Sequence, residues 1–349
     1  MANAGGVMET MRVVSITGDR ACALVERPKP RPWGWYAVVR ILVAPMCTEY
    51  KAYKNGWVGD WLGHEAAGVV EEVGGPCRVK PGDRVLVLPQ NPCGGCELCL
   101  SGEYVLCQDE PNVLELTGNS YGTSTYSQFI LKADWQLPRI PDELSIEEGS
   151  MACCALGPAF GAMRLTGLGP HQTVLITGLG PVGLGAVVCA KDVGARVIAV
   201  DGAPFRQNLA RELGADLVLD HADPDLLRRV REATRDGRGV DQAIECAGVP
   251  EAHRLCLDAV RRRGVIGLVG EGGAFELKAS DDCLRKQLTI LGSWYYKRQD
   301  VEPLFRLIAR NRSKIRTMIT HRFPMSRVQE AFELQLRAET GKVLLDPWA

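Results

Sequence analysis

Residues 173–201 read Thr173-Val-Leu-Ile-Thr-Gly-Leu-Gly-Pro-Val-Gly183, then Leu-Gly-Ala-Val-Val-Cys-Ala-Lys-Asp192, then Val-Gly-Ala-Arg-Val-Ile-Ala-Val-Asp201. An apolar strand, Val174 to Thr177, leads into G-x-G-x-x-G spacing at Gly178, Gly180 and Gly183. A helical stretch follows through Ala190, and a second apolar strand ends in Asp201, eighteen residues after Gly183. Three spaced glycines alone are a weak signal. At a strand-to-helix turn, with an acid closing the next strand, they form the full context of a dinucleotide-binding unit. Gly178 allows the tight turn, Gly180 lets the backbone approach a pyrophosphate, and Gly183 lets helix and strand pack closely. Pro181 and Val182 open the helix, where proline's missing N–H loses no partner and the free amides are left for phosphate. Asp201 suits the adenosine ribose hydroxyls and repels a 2′-phosphate, so NAD is expected rather than NADP.

Further strand signals follow at Asp216-Leu-Val-Leu, Gln242-Ala-Ile-Glu, Gly264-Val-Ile-Gly-Leu-Val and Leu288-Thr-Ile-Leu, separated by helical stretches. Such alternation implies an α/β domain with a parallel, doubly wound sheet covered on both faces. Upstream, residues 11–140 show a different pattern: short β-branched runs such as Ala37-Val-Val-Arg-Ile-Leu-Val and Gly68-Val-Val-Glu-Glu-Val, broken by Gly74-Gly75-Pro76 and Pro81-Gly82-Asp83. That pattern predicts an all-β domain, a small barrel. The period changes near Ser145, where a helix is expected over residues 146–163. A helix over residues 300–310 and a last strand, Lys342-Val-Leu-Leu, are expected to return to the first domain. The expected division is therefore 1–157 plus 297–349, and 158–296.

With 349 residues, two domains is the natural prior, and there is ample chain to bury a core. A formal charge of -1 with no basic run gives no reason to expect nucleic acid or an anionic membrane as partner. Small molecules are the expected ligands. The opening Met1-Ala-Asn-Ala-Gly-Gly lacks a basic region followed by an apolar one, so a cytoplasmic protein is expected.

Thirteen cysteines are many for a chain that needs no disulfide staples, and their spacing points to metal. Cys93, Cys96, Cys99 and Cys107 form C-x2-C-x2-C-x7-C. Four thiolates in so short a loop can close a tetrahedral zinc shell, which leaves no open position and makes the site structural. An iron–sulfur cluster is the chemical alternative, but the spacing fits neither ferredoxin pattern. A second, dispersed set is Cys47, His64 and the pair Cys153-Cys154. Each alone reads as an ordinary core residue. Beside a dinucleotide fold, they can supply the three ligands of an open, catalytic zinc.

Taken together, these motifs resemble the zinc-containing medium-chain dehydrogenases, the family that holds alcohol, sorbitol and threonine dehydrogenases. The resemblance runs through the Cys47 segment, Gly63-His64-Glu65, the four-cysteine lobe, Gly178 to Gly183, Glu245-Cys-Ala-Gly248, Thr320-His-Arg-Phe-Pro and Gly341-Lys-Val-Leu-Leu. It implies a GroES-like barrel joined to a Rossmann domain, two zinc ions per chain, NAD, and a homodimer or homotetramer. It makes Cys47, His64 and Cys153 the catalytic ligands, with Cys153 preferred because it fits the slot after the Glu147-Glu-Gly stretch, and puts Glu65 behind the metal. Arg206 matches a position that contacts the adenosine ribose, and Lys342 one near the pyrophosphate.

The chain departs from the family where a hydroxyl two residues after the first ligand normally relays the substrate proton. Here the string is Cys47-Thr48-Glu49-Tyr50, so either Thr48 or Glu49 takes that part. Only sixteen residues separate Cys47 from His64, so the loop with Trp57 and Trp61 is altered. Those two, with Trp294, Tyr295 and Tyr296, are candidate pocket walls. The function implied is hydride transfer between an alcohol (simple, polyol or sugar-like) or the matching ketone and NAD; the alternative is a non-catalytic zinc and NAD-binding redox sensor or structural subunit.

Overall fold

A computed structural model describes residues 9–349. They fall into two compact units: one holds the chain up to Cys153 with Arg322–Leu336 and Val343–Ala349, the other Cys154–His321 and Arg337–Lys342. In chain order the first unit supplies β1 (Thr10–Gly18), β2 (Ala21–Pro28), β3 (Tyr36–Pro45), α1 (Tyr50–Lys54), β4 (Ala66–Val73), β5 (Arg84–Val87), α2 (Glu97–Leu100), α3 (Val113–Thr117), β6 (Phe129–Ala133) and α4 (Ile146–Ser150). The second supplies α5 (Gly157–Thr166), β7 (Thr173–Thr177), α6 (Pro181–Asp192), β8 (Arg196–Asp201), α7 (Pro204–Glu212), β9 (Leu217–Asp220), α8 (Leu226–Glu232), β10 (Val240–Glu245), α9 (Pro250–Ala259), β11 (Val260–Leu268), β12 (Thr289–Gly292), α10 (Val301–Arg310) and α11 (Arg312–Met318). The chain ends with β13 (Ile319–Pro324), α12 (Val328–Leu336) and β14 (Lys342–Asp346).

β3 organises the first unit. Its run Tyr36-Ala-Val-Val-Arg-Ile-Leu-Val-Ala-Pro is buried at most positions, as a strand covered on both faces should be. It pairs antiparallel with β4, β6 and β14, in a sheet ordered β13-β14-β3-β4-β5 with β6 also on β3. The core beneath holds Val39, Ile41, Tyr53, Tyr126 and Phe332, each burial of an aliphatic or aromatic side chain contributing about 1.5–3 kcal/mol. β1 and β2 form a separate two-stranded sheet. The expected barrel is therefore not a closed one: among the described residues the strand pairings do not run round into a ring.

The second unit carries a six-stranded, all-parallel sheet ordered β12-β11-β10-β7-β8-β9. The strand order reverses between β10 and β7, the switch point outside whose carboxyl ends ligands bind in this architecture. Leu175, Ile198, Val240 and Ile266 are among its buried core.

Two expectations shift. The helix expected over residues 146–163 is broken into α4 and α5. A capping box starts α4: Ser145 Oγ accepts from Glu148 N at 3.1 Å, and Glu148 Oε2 from Ser145 N at 2.9 Å. Pro158 cannot continue a preceding helix and favours the start of a new one, so the intervening 151–156 form turns. Residues 297–321, expected with the first domain, cluster with the second. The cause is packing and polar contact: Arg310 Nη2 and Asn311 Nδ2 donate to the Asp192 carboxylate of α6 at 2.6 and 2.7 Å. No helix among the described residues is long and apolar enough to cross a membrane.

Candidate active site and metal centres

β3 delivers Cys47 just past its end, where Met46 N donates to Val343 O at 2.9 Å. His64 precedes β4, and Gly63 before it adopts φ +86°, where a Cβ would lie 2.3 Å from Thr125 Oγ1 and 2.5 Å from the Tyr126 ring. Only glycine fits that approach. Cys154 directly follows Cys153, the end of the first unit's N-terminal segment, within the turns that break the expected helix. Cys47, His64, Glu65 and Cys154 each offer a donor atom, all within 4.8 Å of one another. Two thiols, an imidazole and a carboxylate so gathered suit zinc. Cys153, expected as the third ligand, is outside this set: its buried thiol donates to Val87 O at 3.5 Å.

Glu49 is buried behind His64. Its Oε1 lies 2.7 Å from His64 Nδ1, while Oε2 accepts from Cys47 N and from the Tyr126 hydroxyl, both at 2.9 Å. Burial opposes its charge, but His64 and the backbone amides prevail and hold the carboxyl at about 2. Burial likewise disfavours a protonated His64, yet Glu49 and the Cys47 thiol lift its pKa well above the ordinary imidazole value. His64 Nε2 points the other way, 3.9 Å from Glu65 Oε1. Thr48, in contrast, is exposed.

The four-cysteine lobe has the geometry of a thiolate cage. Cys93 Sγ to Cys99 Sγ and Cys96 Sγ to Cys107 Sγ are both 3.9 Å. Ligands 2.3 Å from a tetrahedral zinc stand about 3.8 Å apart. Backbone amides of Gly95 and Cys96 donate to Cys93 Sγ at 3.4 and 3.3 Å, as thiolates require. Hydrogen bonds from the Cys99 and Gln108 amides hold the Cys96 thiol down to about 6.

In the second unit Gly178 adopts φ +79°, and a Cβ there would lie 2.7 Å from Ala247 Cα. A Cβ at Gly183 would strike Gly178 O at 1.8 Å, so helix and strand pack through it. At Gly180, the residue capping α6 ahead of Pro181 and Val182, a Cβ would meet nothing within 4 Å. That open approach at a helix N-terminus fits a pyrophosphate. Asp201 Oδ2 accepts from Leu179 N at 2.6 Å and Oδ1 from Ala203 N at 2.7 Å, which fixes the carboxylate at the end of β8. Arg206 donates from Nε to Thr340 O at 3.4 Å, and Lys342, two residues on, is fully buried.

Residues 36–142 match the alcohol dehydrogenase GroES-like domain, and residues 181–310 the zinc-binding dehydrogenase family. The chain is 32% identical to the uncharacterized zinc-type alcohol dehydrogenase-like protein YphC of Escherichia coli, covering 97% of this chain and 99% of that one. It is 30% identical to sorbitol dehydrogenase of Bacillus subtilis, covering 98% of each. The solved structure of alcohol dehydrogenase TADH from Thermus sp. ATN1 superposes with a TM-score of 0.83 at 29% identity, covering 96% of this chain and 99% of that one. The chain belongs to the zinc-containing medium-chain dehydrogenases.

As a member of that family it binds zinc and a nicotinamide cofactor. Several site residues had no sequence signal. Tyr126, whose hydroxyl steadies Glu49, lies 77 positions away in the chain. Gln335 donates to Cys47 O at 3.2 Å from α12. Tyr295, expected as a pocket wall, is buried with its hydroxyl 2.7 Å from Cys154 Sγ. Tyr296 is also buried, whereas Trp57, Trp61 and Trp294 are 56%, 55% and 45% exposed.

Proposed function

We propose that this dehydrogenase moves a hydride between the carbinol carbon of a small alcohol or polyol and NAD, with one catalytic and one structural zinc. The observation that carries the reading is the set Cys47, His64, Glu65 and Cys154 backed by Glu49. Cys47, His64 Nε2 and Cys154 would hold the catalytic ion, with Glu65 beside it, and the four-cysteine lobe the second. Bound there, zinc supplies the Lewis acidity that lowers an alcohol's pKa, and the nicotinamide supplies the hydride acceptor.

The chain's own residues then have separate tasks. Glu49 accepts the Nδ1 proton of His64 and fixes the tautomer that leaves Nε2 free for metal. With its other oxygen held by Cys47 N and Tyr126, Glu49 is not placed to take the substrate proton. That task falls to the exposed Thr48 hydroxyl. Asp201, held by Leu179 and Ala203, would accept the adenosine ribose hydroxyls and so favour NAD over NADP. Relatives named for sorbitol and for alcohol make both substrate classes candidates. Following NADH formation by absorbance over a panel of alcohols and polyols tests the activity. Elemental analysis tests the metal count: fewer than two zinc ions per chain removes one of the sites. No turnover of any alcohol or polyol by zinc-replete protein overturns the reading.

A further inference from the structure

β8 and β9 end side by side, with Asp201 and Asp220 as register partners in the parallel ladder. The residue after each acid is unusual: Gly202 has no side chain, and His221 N donates to Asp201 O at 3.4 Å. A Cβ on residue 202 would lie 2.4 Å from Cε1 and from Nδ1 of His221, so the imidazole rests its edge on the Gly202 backbone in the space a side chain would need. Asp220 Oδ1 lies 3.4 Å from His221 Nδ1 and accepts from Ala222 N at 2.8 Å, while Gln207 of α7 donates to its Oδ2 at 3.4 Å. The ring is thus seated, yet 68% of the side chain is open to solvent.

We propose that His221 is the stacking surface for the adenine of the dinucleotide. The inference rests on the reading of Asp201 as the ribose-binding acid. A ribose on that carboxylate carries its purine a single glycosidic bond further along the same strand ends. There the imidazole offers a planar π-surface already held in place, and an aromatic platform accepts any purine face. Phe205, also near the start of α7, is turned toward the His321 ring, 6.4 Å away between centroids. Gly202 is part of the device, since any larger residue there would displace the ring.

Calorimetric titration of the zinc-replete protein with 5′-AMP and with ADP-ribose tests this, using His221→Ala, His221→Phe, Phe205→Ala and Asp201→Ala. The expected result is affinity lowered roughly fivefold or more in His221→Ala, on the scale of one base–aromatic stack, with His221→Phe near wild type. Unchanged affinity in His221→Ala, or a loss in Phe205→Ala instead, overturns the assignment while Asp201→Ala still weakens binding. Failure of the wild type to bind either nucleotide, or no effect of Asp201→Ala, overturns the underlying reading of the nucleotide site.

Discussion

Oε1 of Glu49 stands 2.7 Å from Nδ1 of His64, and the same carboxylate accepts the backbone N–H of Cys47. One buried side chain therefore orients two of the metal donors at once. Glu49→Gln would place an amide NH2 where one of those N–H groups donates, while keeping the volume. Removing such an outer partner of a ligating imidazole typically costs 10–100-fold in metal affinity. The expected outcome is faster zinc release to a chromogenic chelator, by about that factor, from one site only, with unchanged far-ultraviolet circular dichroism. Equal retention by both proteins would reduce Glu49 to a packing residue.

The adjacent cysteines make a sharper test. Cys154 Sγ shares the cluster with Cys47 and His64, whereas Cys153 Sγ turns to Val87 O. Cys154→Ala should abolish turnover and remove one zinc. Cys153→Ala should keep both ions and most activity, losing on the order of 1 kcal/mol of stability for a truncated buried side chain. The opposite pattern would return the ligand to Cys153.

What could be read from the sequence was what the chain keeps local. The four cysteines lie within one loop, and the glycines with Asp201 sit within one strand–helix–strand, so their spacing alone carries their chemistry. The choice between Cys153 and Cys154 hangs on backbone direction through 151–156, where hydrogen bonds reach only three residues back, as from Cys153 N to Ser150 O. Helical periodicity could not supply that. The role of Glu49 needed Tyr126 and His64, both distant in sequence, and the allegiance of α10 and α11 needed Asp192. The small barrel was an expectation from the short β-branched runs of residues 11–140, and strand alternation does not decide whether a sheet closes on itself.

Two glycines of the fingerprint separate folding from cofactor binding. A Cβ at Gly183 would lie 1.8 Å from Gly178 O, so Gly183→Ala must push helix from strand. A destabilisation of about 1–3 kcal/mol is the usual scale of overpacking. Gly180→Ala meets no protein atom within 4 Å and should fold normally. It should nonetheless bind NAD at least tenfold more weakly, because the methyl occupies the approach to the pyrophosphate. Thermal melts with and without NAD distinguish the two, and normal NAD binding by Gly180→Ala would move the pyrophosphate elsewhere.

Lys132 gives the pH dependence. It is buried on β6, donating to Gln90 O and, at 3.0 Å, to Asn91 Oδ1, just upstream of the cysteine lobe. Burial pushes its pKa from 10.5 down to about 7, against the opposing pull of Glu110 and Cys153. Between those values the unfolded chain holds a proton that the folded chain has released, so stability rises with pH across that interval. Below about 7 both states carry the proton and the penalty is constant. Lys132→Met removes this term. The stability of the wild type minus that of the variant, from urea unfolding of the zinc-replete proteins, should therefore climb as pH rises above about 7 and level off below it. The slope is bounded by about 1.4 kcal/mol per pH unit for a single proton. Parallel stability curves at all pH values would mean that Lys132 keeps its proton in the fold, with Gln90 and Asn91 satisfying the ammonium.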